Sequence, residues 1–198
     1  MEKLDLTKIF KDYYSAKTKV EKVNFGKIPY LTILGKGEPA GKEFSEKAGA
    51  IYPLAYGVKK ICKEAIQDFG VPKLEGLWWV NDKRPALEVP RSEWCWKLLI
   101  RIPEFVTNEM VEKAVSEVVK RKTTIASEVK FEIIDEGDLV CILHIGSYKN
   151  EPESIKQMDD FIKANGLTKN GLHHEIYLSD PNKIEPDKLK TILRQPVK

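Results

Sequence analysis

The chain has 198 residues, long enough for one large domain or two small, tightly joined ones with a sizeable buried core. Apolar residues make up 42% and charged residues 32%, which excludes a disordered chain, and a net charge of +3 from 33 basic and 30 acidic residues implies no polyanion partner. No run approaches the roughly 18 apolar residues of a membrane span, and the charged N-terminus MEKLDLTKIFKDYYSAK has no apolar leader, so a cytoplasmic chain is expected.

Leu4, Leu6, Ile9 and Phe10 recur near helical spacing, so residues 1–19 read as a short N-terminal helix or arm. Strand-like runs follow at 20–25 (VEKVNF) and 30–34 (YLTIL), and the glycines and proline of GKGEPAG (35–41) mark a loop. Leu54, Val58, Ile61, Ala65 and Phe69 lie at helical spacing within 44–69, with Gly70 expected as the C-cap. Strands are expected at 77–80 (LWWV) and 94–102 (WCWKLLIRI). Thr107 can cap a helix over 107–121 that carries Val111, Ala114, Val115 and Val118 on one face. Strands at 130–135 and 139–145, a helix at 153–165 ending on Asn165-Gly166, and strands at 173–179 and 190–195 complete the chain.

The order repeats. YLTILGKGE (30–38) matches LVCILHIGS (139–147), LWWVND (77–82) matches EIYLSD (175–180), and KLLIRIP (97–103) matches KTILRQP (190–196). The expected fold is therefore α+β: a duplicated β-α-β-β module with pseudo-two-fold symmetry, antiparallel sheets, helices on one side and a central cleft. Repeats at about 20–103 and 129–198, joined by the helix at 107–121, would form a single domain over 20–198.

Strand parity sorts the residues of HHEIYLS. His173, Glu175, Tyr177 and Ser179 point one way, and His174, Ile176 and Leu178 the other. The apolar set is expected to pack under the helices and the polar set to face the cleft or solvent. Under the repeat, Leu77, Trp79 and Asn81 share the parity of Glu175 and Tyr177. Glu175 then reads as a carboxylate for a cationic ligand, a general base, or a half-exposed strand residue without a role. Trp78, Trp79, Trp94 and Trp96, with Tyr52 and Tyr56 on the first long helix, are either core or flat contact area for a planar ligand.

Other chemistries are excluded on spacing. His173 and His174 have opposite parity and cannot share a metal from a regular strand, and His144 adds no recognisable ligand spacing. Cys141 and His144 are three apart on a strand and face opposite ways. Cys62, Cys95 and Cys141 form no CxxC pair and read as buried thiols. GKGEPAG fits neither a phosphate loop nor a dinucleotide fingerprint, and no cofactor is implied.

The stretches EGLWWVND, EWCWKLLIRIPEFVT, LHIGSY, HHEIYLSDP and ILRQPV, over nearly the whole chain from about residue 20, resemble the GyrI-like small-molecule-binding family. That family is related to the effector-binding domains of AraC-type and MerR-type multidrug regulators. The resemblance implies a central aromatic pocket with a glutamate on the strand before the last, here Glu175. With only about 20 residues before the first repeat there is no room for a helix-turn-helix, so direct nucleic-acid binding is not expected. Some stand-alone members are hydrolases that open the cyclopropane of DNA-alkylating compounds, which is detoxification. In that reading Glu175 would activate water, Tyr177 or Tyr148 would donate to the developing phenolate, and Trp79 with Trp94 or Trp96 would sandwich the ligand, near Tyr52, Tyr56 and Leu77. The alternatives are a protein that binds and sequesters drugs without turnover, or a gyrase-inhibitor-like protein whose partner is another protein.

Overall fold

The computed structural model describes residues 3–39, 41–65 and 67–198. Two compact units emerge: one holds the residues up to Ile9 together with Ile28–Ile134, the other Phe10–Lys27 and Asp135–Lys198.

In the first unit the helices are α1 (Leu6–Ile9), α2 (Lys42–Glu64) and α3 (Asn108–Arg121). Its strands are β2 (Lys27–Lys36), β3 (Leu74–Trp79), β4 (Cys95–Arg101) and β5 (Lys130–Asp135), β1 lying earlier in the chain. Their order in the sheet is β3-β4-β2-β5, and β4 runs antiparallel to both β2 and β3. One face of α2 buries Ala50, Ile51, Leu54, Ala55, Val58, Ile61 and Cys62. A Cβ at Gly57 would stand 3.1 Å from Val118, so glycine lets α3 approach α2 closely. Thr107 caps α3 as expected, its side chain accepting the Met110 N–H.

The expected end of α2 is corrected. The helix stops at Glu64, and Gly70 does not cap it. Extended backbone around Phe69 bridges Leu4 instead: Leu4 N–H donates to Asp68 and Gly70 N–H to Leu4. Lys59 reaches both the Asp68 carboxylate and the Phe69 carbonyl, so tertiary contacts hold residues that local periodicity assigns to the helix.

The second unit holds β1 (Glu21–Asn24), β6 (Asp138–Ile145), α4 (Glu151–Ala164), β7 (His173–Tyr177) and β8 (Lys190–Pro196). Its sheet order is β1-β6-β8-β7, antiparallel throughout. Val140, Ile142 and Leu193 of the sheet pack against Met158 and Ile162 of α4. His144 ties sheet to helix, its Nδ1 2.9 Å from the Ser154 hydroxyl and its Nε2 3.1 Å from the Ser147 carbonyl. Asn165 ends α4, and Gly166 follows at a φ of 66°.

Both units thus run strand, helix, strand, strand, with the same order in the sheet. The matched glycines Gly37 and Gly146 both have positive φ, 108° and 139°. The matched Asp82 and Asp180 each accept the N–H two residues on, from Arg84 and Asn182. The match of LWWVND to EIYLSD fails in the sheet, however. Ile100 and Leu193 occupy matched positions in β4 and β8, yet Ile100 pairs with Leu74 and Leu193 with Glu175. The ladders therefore set Leu74, not Leu77, in the place of Glu175. The odd offset reverses the side-chain face, so Trp79 is not the counterpart of Tyr177.

Candidate ligand site

β7 alternates as its sequence demands. His174 and Ile176 are buried, while His173, Glu175 and Tyr177 are half-buried. The expectation that the apolar set lies under the helix is corrected. Glu175 pairs with Leu193, whose side chain packs with the α4 core, so Glu175 and Tyr177 are on the α4 side of the sheet. The opposite face is no free surface either, because residues 10–27 cover part of it. There the Arg194 guanidinium lies 4.2 Å from the centre of the Tyr13 ring and 4.4 Å from that of Phe25, and one of its nitrogens donates to the Tyr13 carbonyl. His174, paired with Arg194 in the ladder, sits 2.9 Å from Glu136.

On the α4 side the Glu175 carboxylate is 13% exposed, and among the described residues its ionic neighbour is His173, with Nε2 3.5 Å from Oε1. Tyr148, in the 3-10 turn Tyr148–Asn150 ahead of α4, meets Tyr177 edge to face at 6.3 Å between ring centres. Burial, then the negative charges of Glu151, Glu175 and Asp180, push the Tyr148 hydroxyl up to about 12. It therefore stays protonated at neutral pH and can donate. The structure thus brings Glu175, Tyr177 and Tyr148 to one neighbourhood.

The aromatic residues of the first unit divide. Trp96 is fully buried, its ring over Gly35, where a Cβ would fall 2.0 Å from the indole. Its N–H donates to the Gly37 carbonyl at 3.2 Å, and Phe44 of α2 meets it edge to face at 5.2 Å. Phe44 also stacks on Trp78, the ladder partner of Trp96. Trp96 is part of the core, as is the buried Leu77. Trp94 is half-buried, its N–H held by the Val89 carbonyl at 3.1 Å. Trp79 is half-buried and pairs with Cys95 on the face turned away from α2. On α2, Tyr52 is half-buried and Tyr56 is 58% exposed.

Sequence reasoning missed three features. Parity puts His173 on the polar face of β7 with Glu175, but the pairing of the two is a missed feature, although their i,i+2 spacing is visible in HHE. The set formed by the half-buried Glu136 and the buried His174 and Arg194 was missed because its members are scattered along the chain. A groove of about 260 Å³ lined by Thr18, His144, Asn150, Glu153, Ser154 and Gln157 was also missed; it contains none of the expected site residues. Among the described residues no group of three or more His, Cys, Asp or Glu could hold a metal ion. All three cysteines are buried, and burial pushes the Cys141 thiol up to about 11. No described helix is long and apolar enough to cross a membrane.

The profile of the GyrI-like small molecule binding domain matches residues 19–198, and the chain belongs to this family. An uncharacterized conserved protein from Listeria innocua is 36% identical, with a TM-score of 0.92 over 99% of this chain and 100% of that one. A hydrolase from the same organism is 35% identical, with a TM-score of 0.89 over the whole of both chains. The EcmrR C-terminal domain shares the fold at 14% identity, with a TM-score of 0.59 over 91% of this chain and 97% of that one. No curated protein matches the chain.

Proposed function

We propose that the protein binds bulky, planar, cationic aromatic compounds at Glu175 and opens electrophilic cyclopropanes among them by hydrolysis. The observation that carries the binding reading is the Glu175 carboxylate, largely shielded from water, whose ionic partner among the described residues is a histidine at 3.5 Å. A shielded carboxylate with so weak a partner favours an incoming cation, and the neighbouring Tyr177 and Tyr148 offer ring faces for it.

The hydrolytic step is supported by a family member of 35% identity that is a hydrolase, and by the state of Tyr148. Glu175 would take a proton from water as the water oxygen bonds to a cyclopropane carbon. The strained C–C bond breaks, and its electron pair moves through the conjugated ring to the carbonyl oxygen, which becomes a phenolate. Tyr148 or Tyr177, as a hydroxyl donor, would stabilise that oxygen as charge develops. Trp79, Trp94 and Tyr52 are the remaining half-buried rings to be tested for ligand contact.

Fluorescence titration with a planar cationic dye, and turnover of a cyclopropane-bearing alkylator followed by mass spectrometry, test both parts. Glu175→Gln is expected to weaken binding about tenfold and to abolish turnover. Unchanged affinity and unchanged rate would overturn the proposal. Binding without turnover of excess ligand would reduce it to sequestration.

A further inference from the structure

The proposed binding carboxylate has a neighbour that the binding reading leaves unused. His173 stands two residues from Glu175 on β7, on the same face, with its Nε2 3.5 Å from Glu175 Oε1. That nitrogen is buried and, among the described residues, has no hydrogen-bond partner. Buried polar nitrogens almost always find a partner, and an unmatched one beside a site points to a partner not always present. At 3.5 Å the two groups are within ion-pair range but beyond a good hydrogen bond, so a small movement makes or breaks the contact.

We propose, resting on the assignment of Glu175 as the cation-binding carboxylate, that His173 is the internal counter-charge of that site and sets which ligands it accepts. A protonated His173 cancels the charge of Glu175, and an incoming cation must displace it. A neutral His173 leaves Glu175 as an uncompensated anion and offers Nε2 to a polar group of the ligand. Cation binding therefore strengthens as pH rises through the range in which imidazoles lose their proton, whereas binding of a neutral planar compound does not change.

The titratable and charged groups around His173 come from the turn before α4, the turn after β7, the first turn of α4 and β8. From the turn before α4 comes Tyr148, which stays protonated to about 12. From the turn after β7 comes Asp180, held low by the Asn182 N–H and by Lys183. From the first turn of α4 comes Glu151, and on β8 the residue that follows Arg194, the ladder partner of His174, is the uncharged Gln195. His174, Glu136 and Arg194 lie on the opposite face of the sheet.

The test uses ethidium, a permanent planar cation, and 1-pyrenemethanol, a neutral planar probe, titrated against the full chain from pH 5.5 to 8. Ethidium affinity is expected to rise about tenfold over that range, as loss of one opposing charge implies, with 1-pyrenemethanol flat. His173→Gln should hold ethidium at pH 5.5 as tightly as the unmodified protein does at pH 8. A flat ethidium profile, an equal slope for 1-pyrenemethanol, or a slope that survives in His173→Gln overturns the inference. The two-probe comparison needs no variant and stands if His173→Gln fails to fold. Glu175→Gln separates the two levels. If it leaves ethidium affinity at pH 8 unchanged, or if ethidium does not bind the unmodified protein at all, the cation-site reading fails and the inference with it. If it weakens binding while the slope persists in His173→Gln, only the role of His173 fails.

Discussion

The two faces of β7 each carry a histidine beside a glutamate, and they are built differently. On one face His174 is 1% exposed and meets Glu136 at 2.9 Å, next to an Arg194 clamped between Tyr13 and Phe25. On the other, His173 is 20% exposed and stands 3.5 Å from Glu175, whose carboxylate is as shielded as that of Glu136. The first pair is short and enclosed, and burial there is compensated. Burial pushes the Glu136 carboxyl up, but His174 and then Arg194 outweigh it, and the net direction is down. The second pair is too long for a good hydrogen bond and leaves a ring nitrogen unmatched among the described residues. Identical residue types therefore make a close ion pair on one face and a loose contact on the other, where the ligand site is proposed.

Substitutions should separate the faces, and the largest effect belongs to Arg194. Arg194→Ala removes a fully buried cation together with its contacts to Tyr13 and Phe25, and is expected to cost about 4 kcal/mol in urea unfolding. His174→Ala leaves Glu136 enclosed without its nearest partner and should cost about 2–3 kcal/mol by the same measurement. Glu175→Gln, by contrast, should change stability by no more than about 0.5 kcal/mol while weakening cation binding. A loss of stability as large as that of His174→Ala would make Glu175 part of the framework and erase the distinction.

The smallest effect is a slope. The folded carboxyl of Glu136 titrates lower than in the unfolded chain, so its contribution is fully present above the unfolded value and is lost as pH falls through the folded one. Urea midpoints between pH 7 and pH 3 should fall less steeply for Glu136→Gln than for the unmodified protein. An identical slope would remove Glu136 from the acid-sensitive set.

Much of this was legible in the sequence because it depends on neighbours within a few residues. The parity of HHEIY follows from a period of two, the Thr107 cap from one side chain three residues from its donor, and the stop at Asn165-Gly166 from a left-handed glycine. Trp96 could have been assigned to the core from Gly35, since an indole crossing a neighbouring strand needs a residue without a side chain beneath it. The identity of its strand neighbour, however, is a matter of pairing. The offset between LWWVND and EIYLSD shows the same limit. Similar residues aligned by eye, yet hydrogen-bond register set the faces, and a shift of an odd number of residues moved Trp79 to the other side of its sheet.

By itself the sequence determined the α+β order of elements, the family and the alternation of β7, because each rests on local spacing or on motifs contiguous in the chain. Only the tertiary structure decided which face of β7 carries α4, that Trp96 and Leu77 are core, and that His174 answers to Glu136 while His173 answers to Glu175. Those outcomes depend on residues far apart in the chain, and the free energy that selects among them comes from packing and charge compensation.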